Sequence, residues 1–143
     1  LRLLCFSLLC FYTASSQVLS VTGVNGASVV RAFGQIKDND LGASISLQSN
    51  DKARRPVILQ FLPNGQTMLY QTEGRQVLQS RLTPISIPRK KDFEIRFMTS
   101  THGQITVYFI RDRRNVVIGT MMSNTSFKNI DKISFENIEN ADF

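Results

Sequence analysis

The chain has 143 residues, 42% hydrophobic and 20% charged, with 17 Lys and Arg against 11 Asp and Glu for a formal charge of +6. That balance suits one packed domain and excludes a disordered chain or a second core of ordinary size. With two cysteines, one histidine and no tryptophan, there is little material for a thiolate metal centre or a histidine-based active site.

Residues 1–16 read as a signal peptide. Arg2 gives a short positive start, residues 3–12 are almost unbroken apolar, and Ala14 and Ser16 put small residues three and one positions before a cut ahead of Gln17. The apolar run is about ten residues, against roughly twenty for a membrane span. The competing reading is a buried N-terminal helix or strand. Cys5 and Cys10 both lie in this leader. A mature chain of 17–143 is therefore expected outside the cell, as a single domain without cysteine chemistry. No later stretch reaches transmembrane length. The cation excess favours acidic partners such as sulfated glycans, anionic lipid or an acidic protein face; it also serves solubility alone. Nucleic acid is not expected for an exported domain.

Short extended runs separated by turn residues then follow one another. Residues 18–24 look extended and end at Asn25-Gly26, a hairpin-type signal. Residues 29–37 form the next candidate strand, broken by the 38–42 turn. Residues 43–48 alternate apolar and polar, the period of a half-buried strand. A charged loop, 49–55, leads to the apolar run 57–62 and its Pro63-Asn64-Gly65 turn. Residues 67–72 are the hairpin mate, Glu73-Gly74 turns the chain, and 76–82 alternate again. Residues 85–87, bracketed by Pro84 and Pro88, suit an edge or a linker. Phe93, Ile95 and Phe97 alternate inward, as do Ile105, Val107 and Phe109 in 104–111. A turn at 112–115, a strand at 116–120 and a closing strand at 129–137 complete the series, with Ile130, Ile133 and Phe135 inward and Ile138 a further candidate. No segment keeps a helical apolar period over three turns. About ten short strands between turns predict an all-β antiparallel sandwich or barrel.

The second half has an ordered set of features similar to a galectin-type carbohydrate-recognition domain. Gln60-Phe61-Leu62-Pro63-Asn64 resembles the family's strand ending in Phe-x-Pro. A hairpin strand, Thr67-Met68-Leu69-Tyr70-Gln71, a glycine turn and a third strand follow. Asp92-Phe93-Glu94-Ile95-Arg96-Phe97 is similar to the "PFEL-I" strand, and residues 104–109 to the "F-V-V-N-G" strand. Residues 127–135 resemble the closing segment. The match spans roughly residues 29–138 and implies an antiparallel two-sheet jelly-roll sandwich. It implies a non-enzymatic lectin without a cofactor, with glycans or glycoproteins as partners. Such sandwiches often pair through edge strands, which admits a homodimer, although nothing in the sequence picks out such an edge.

The sugar-contacting positions depart from the family. Its pattern is His-x-Asn-x-Arg on one strand, Asn on the next, and Trp-x-x-Glu-x-Arg on the third. Aligned on Pro63, Gln60 falls at the His, Leu62 at the Asn and Asn64 at the Arg. Gln71 falls at the next-strand Asn. The Trp has no counterpart, the Glu has no clear one, and Arg81 meets the last Arg only after a one-residue slip. A site that pairs with specific hydroxyls loses strongly without its partners, and without the Trp the sugar face has no flat plate to stack on. Ordinary β-galactoside selectivity is therefore not expected.

Gln60, Asn64, Gln71, Arg75, Gln79 and Arg81 form a polar strip that offers amide and guanidinium hydrogen bonds to hydroxyls. The alternative is the wet face of a one-sided sheet. Three basic clusters, Lys52/Arg54/Arg55, Arg89/Lys90/Lys91 and Arg111/Arg113/Arg114, fall in predicted loops or turns. Two at one end of a sandwich would make an anionic-polysaccharide, sulfate or phosphate site; scattered, they are solvated charges. Asn124-Thr125-Ser126 is a sequon that makes Asn124 a glycosylation candidate. His102 lies in a Thr-His-Gly turn without a ligand-spaced partner. The carboxylates are scattered, with no close pair of glycosidase type. No metal site and no enzymatic activity are expected.

Overall fold

Alternation in the sequence becomes two facing sheets. The computed structural model describes residues 16–20, 28–49, 55–100, 103–122 and 130–143. Among these the elements are β1 (Ser16–Ser20), β2 (Ser28–Ile36), β3 (Ala43–Ser49), β4 (Val57–Phe61), β5 (Thr67–Glu73), β6 (Gln76–Thr83), β7 (Phe93–Thr99), β8 (Gln104–Arg111), β9 (Arg114–Met122), β10 (Ile130–Glu136) and β11 (Ile138–Asp142). No helix occurs among the described residues. The front sheet has six strands in the order β1-β10-β3-β4-β5-β6, and the back sheet five in the order β11-β2-β7-β8-β9. Neighbouring strands in both sheets pair antiparallel.

Burial follows the period of two. In β4, Val57, Leu59 and Phe61 are buried while Ile58 and Gln60 are half-buried. In β7 and β8, Phe93, Ile95, Phe97, Ile105, Val107 and Phe109 all face the core, as their spacing predicts. Ile45, Leu47, Leu59, Leu69, Ile133 and Phe135 meet them from the front sheet. Each such side chain contributes about 1.5–3 kcal/mol by leaving water, so register is tightly held: a slip of one residue would expose the whole set.

The turns obey their residues. Gly65 has φ +86° in the β4–β5 turn, where the Leu62 amide donates to the Gln66 carbonyl at 2.8 Å. Gly34 has another reason. A Cβ there would lie 2.5 Å from Ile138 Cγ2 and 3.1 Å from the Glu139 carbonyl, so β11 approaches β2 as closely as it does only over a glycine. Residues 85–87 form no strand, consistent with their flanking prolines.

Two expectations need correction. The predicted 112–115 turn is only Asp112-Arg113, because Arg111 pairs directly with Arg114. The predicted closing strand, 129–137, ends at Glu136. Asn137 has φ 56°, and its side chain exchanges two 2.8 Å amide hydrogen bonds with Asn39. This kink passes the chain from the front sheet (β10) to the back sheet (β11), a strand the sequence reading did not separate. A cut ahead of Gln17 would leave all of β1 but Ser16 with the sandwich. The rest of the leader, the Asn25-Gly26 turn, Lys52, Arg54, His102 and Asn124 lie outside the described residues.

Candidate functional site

Strand register divides the polar strip into four locations. Gln60 faces outward from β4, half-buried beside Ile58. Asn64 sits in the β4–β5 turn, where its carbonyl oxygen accepts from the Gln66 amide at 3.0 Å and its NH2 donates to Gln66 Oε1 at 3.0 Å. Arg75 is exposed in the β5–β6 turn. Gln71, Gln79 and Arg81 lie on the inner face of the front sheet, not beside Gln60. The reason is phase. Gln71 follows Thr67 and Leu69 in the buried set of β5 and is 0% exposed. Gln79 pairs with Gln71, and Arg81 with Leu69.

These inner residues close one open side of the sandwich. Gln79 Nε2 donates to Gln71 Oε1 at 3.1 Å and to the Met122 carbonyl at 2.5 Å. Arg81 Nη1 donates to the Thr120 carbonyl at 3.3 Å, and Thr83 Oγ1 to the Ile118 carbonyl at 2.8 Å. Alternate side chains of β6 thus meet alternate carbonyls of β9, the last strand of the back sheet. Gln71 Nε2 donates in turn to the Arg55 carbonyl at 3.2 Å. Buried amides and an unpaired strand edge are both costly without partners, and this ladder supplies partners to both.

The outward face of the front sheet carries different chemistry. Register places Glu136, Ser44, Gln60, Met68 and Leu82 in one row across β10, β3, β4, β5 and β6. The adjacent row is Ser134, Ser46, Ile58, Tyr70 and Ser80. Rows and strands lie about 5–7 Å apart, so an aromatic ring, an amide, hydroxyls and a carboxylate are spread over roughly 15 Å from β5 to β10, the length of a short oligosaccharide rather than of one sugar ring. Ser44 Oγ donates to Glu136 Oε2 at 3.4 Å. Burial raises the Tyr70 phenol pKa above its ordinary value, and the Glu136 charge adds to the rise. Tyr70 therefore keeps its proton and can donate a hydrogen bond while its ring offers a face. The sequence reading missed Tyr70, Ser44 and Glu136. Counting outward positions across the β4–β5 turn from Ile58 and Gln60 would have reached Met68 and Tyr70.

The basic clusters separate by end. Arg55 precedes β4 and pairs with Glu73, Nε to Oε2 at 3.3 Å, at the end where β9 finishes. Arg89/Lys90/Lys91 and Arg111/Arg113/Arg114 share the other end, where β9 begins. There Arg89 is structural: Nη1 and Nη2 donate to the carbonyls of Lys37 and Leu41 at 2.8 and 2.7 Å. Lys90 stands 3.7 Å from Asp38. A groove of 420 Å³ runs between the β6–β7 loop and the β8–β9 hairpin, lined by Lys91 and Arg111 among others. No cluster of three or more His, Cys, Asp or Glu suited to a metal occurs among the described residues. Among the described residues no helix is long and apolar enough to cross a membrane.

The fold is that of galectins. Caenorhabditis elegans galectin LEC-6 superposes with a TM-score of 0.70 at 14% identity, covering 91% of this chain and 92% of that one. Xenopus laevis galectin-Ib gives 0.70 at 13% identity over 87% and 95%. A toad ovary galectin solved in complex with thio-digalactose gives 0.67 at 11% identity over 87% and 93%. No protein-family model and no curated protein sequence matches the chain. At these identities the likeness establishes the galectin-type jelly roll, as the sequence resemblance implies.

Proposed function

We propose that this galectin-like chain is a secreted, non-enzymatic carbohydrate-binding protein whose selectivity is not that of an ordinary β-galactoside lectin. The observation that carries the reading is the outward face of the front sheet, where the half-buried Tyr70 ring stands between Ile58 and Ser80 in register, one row from Gln60. A ring face stacks on sugar C–H groups, and amide and hydroxyl groups pair with sugar hydroxyls. The toad galectin bound to thio-digalactose supports the sugar class. The missing Trp supports the change of selectivity, because Tyr70 lies on β5 and would offer its plate one strand away from the family's position. The apolar leader with small residues before Gln17 supports export.

The test is a glycan array with the chain from Gln17 onward, carrying neutral and sulfated glycans, at low and high salt. A neutral glycan retained at high salt, and lost in Tyr70→Ala and Gln60→Ala, is the expected result. An array blank for neutral glycans would refute the reading. Export is checked by N-terminal sequencing of protein recovered from the medium of expressing cells, which should begin at Gln17.

A further inference from the structure

The end of the sandwich opposite Arg55 gathers cations in arrangements that its backbone disfavours. Arg111 and Arg114 are direct cross-strand partners in the β8–β9 hairpin, and opposed like charges destabilise a strand pair. The two turn residues between them, Asp112 and Arg113, have φ 50° and 64°. A two-residue turn with both residues left-handed favours Asn-Gly, since a Cβ is penalised there. Here the second position holds an arginine. Lys90, in the neighbouring loop, is also left-handed at φ 59°. Strain of this kind persists where surrounding structure enforces it and is concentrated at functional sites.

The same end offers a shaped surface. Lys91 and Arg111 line the 420 Å³ groove, whose apolar wall includes Pro88, Phe93 and Phe109. Arg111 is held in place: its guanidinium carbon lies 5.4 Å from the centre of the Phe109 ring, and Nη2 donates to the Ser86 carbonyl at 3.4 Å. Two carboxylates, Asp92 and Asp112, line the groove beside Lys91 and Arg111; Asp92 accepts from Gln35 at 2.7 Å, and Asp38 faces Lys90 outside it. Among the described residues no carboxylate is within ion-pair distance of Lys91, Arg111, Arg113 or Arg114.

We propose that the β8–β9 hairpin and the β6–β7 loop form a second binding site, separate from the front-sheet face, that takes a sulfated polysaccharide. Arginine forks match the oxygens of a sulfate group bidentately, and Lys91 adds a point charge. The hairpin tip presents these charges as a ridge for repeated sulfates. The apolar groove wall accepts the sugar carbons between them, which a bare anion does not use.

The test measures binding of the purified protein to a heparin oligosaccharide across a salt series, with thermal unfolding as the fold control. Arg113→Gly combined with Arg114→Ala should weaken binding about tenfold or more near physiological salt, and lower the slope of log K against log salt by about two. Its melting temperature should not fall, because glycine suits the left-handed turn and a like-charge pair is removed. Lys91→Ala, at an exposed position, should also weaken binding, and provides the test if the double variant misfolds. Arg75→Ala at the other end should bind as wild type. Unchanged heparin binding in Arg113→Gly/Arg114→Ala or in Lys91→Ala overturns the proposal, as does equal binding to desulfated heparin or to anionic vesicles. Neutral-glycan binding in these variants stays as in wild type, so failure of this site is distinct from failure of the sheet-face reading.

Discussion

Replacing Gln79 with leucine separates a structural role from a sugar contact. The side chain amide donates both hydrogens, to Gln71 Oε1 at 3.1 Å and to the Met122 carbonyl at 2.5 Å. Leucine keeps most of the volume and removes both donors. Net loss of a hydrogen bond costs about 0.5–1.5 kcal/mol, and a buried acceptor that loses a donor costs about 1–3 kcal/mol. Gln71 is fully buried, so the larger figure applies on that side, and the apolar gain of leucine offsets part of it. The expected total is about 2 kcal/mol, a fall of about 6–10 °C in melting temperature for a domain of this size. Circular dichroism melts measure it. Glycan binding, assayed well below the transition, should match wild type, because the residue lies on the inner face of the front sheet. A variant that melts with wild type yet loses its glycan would refute the reasoning and place Gln79 in the sugar site.

Gly34→Ala should lower the melting temperature, since its Cβ would meet Ile138 Cγ2 at 2.5 Å and overpacking costs about 1–3 kcal/mol; an unchanged melt would mean that β11 yields freely. Arg89→Ala removes two bonds to the 37–42 turn and should cost about 2 kcal/mol, read as faster amide exchange around Asn39. Tyr70 gives a pH signature. Its raised pKa means that above the ordinary value of 10.0 the folded chain still holds a proton that the unfolded chain has released. Stability therefore falls as pH rises from about 10 through the folded value, and Tyr70→Phe should flatten that part of a stability–pH curve.

The sandwich was legible because its strands obey one rule. Phe93-Ile95-Phe97 and Ile105-Val107-Phe109 announce their inward faces by spacing alone, and Pro63-Asn64-Gly65 announces a turn. The site was less legible because residue type was read without phase. Gln71, Gln79 and Arg81 look like surface chemistry, yet Gln71 is in step with Leu69, and register carries Gln79 and Arg81 inward with it. Tyr70 was passed over for the opposite reason: an aromatic residue in a strand reads as core until the alternation is counted across the turn. The break at Asn137 was hidden because the buried Phe135 and Ile138 on either side of Glu136-Asn137 read as one continuing strand, and nothing in the residue types marks the left-handed turn at Asn137.

The inner polar residues follow from the geometry of an open sandwich. The β6 and β9 edges face one another on one side, and apolar side chains there would leave the carbonyls of Ile118, Thr120 and Met122 without donors. Glutamine, arginine and threonine at alternating positions of β6 satisfy them, which commits that face of β6 to closure. The two binding surfaces we propose are ones that closure does not use: the outward rows around Gln60 and Tyr70, and the cationic end at the β8–β9 hairpin. Substitutions that share no partners add nearly independently. A combined Gln79→Leu, Gln60→Ala and Arg113→Gly chain, with Gln60 two strands away from Gln79, should therefore show the stability loss of the first, the neutral-glycan loss of the second and the heparin loss of the third. Strong coupling among the three would mean that these surfaces are one site.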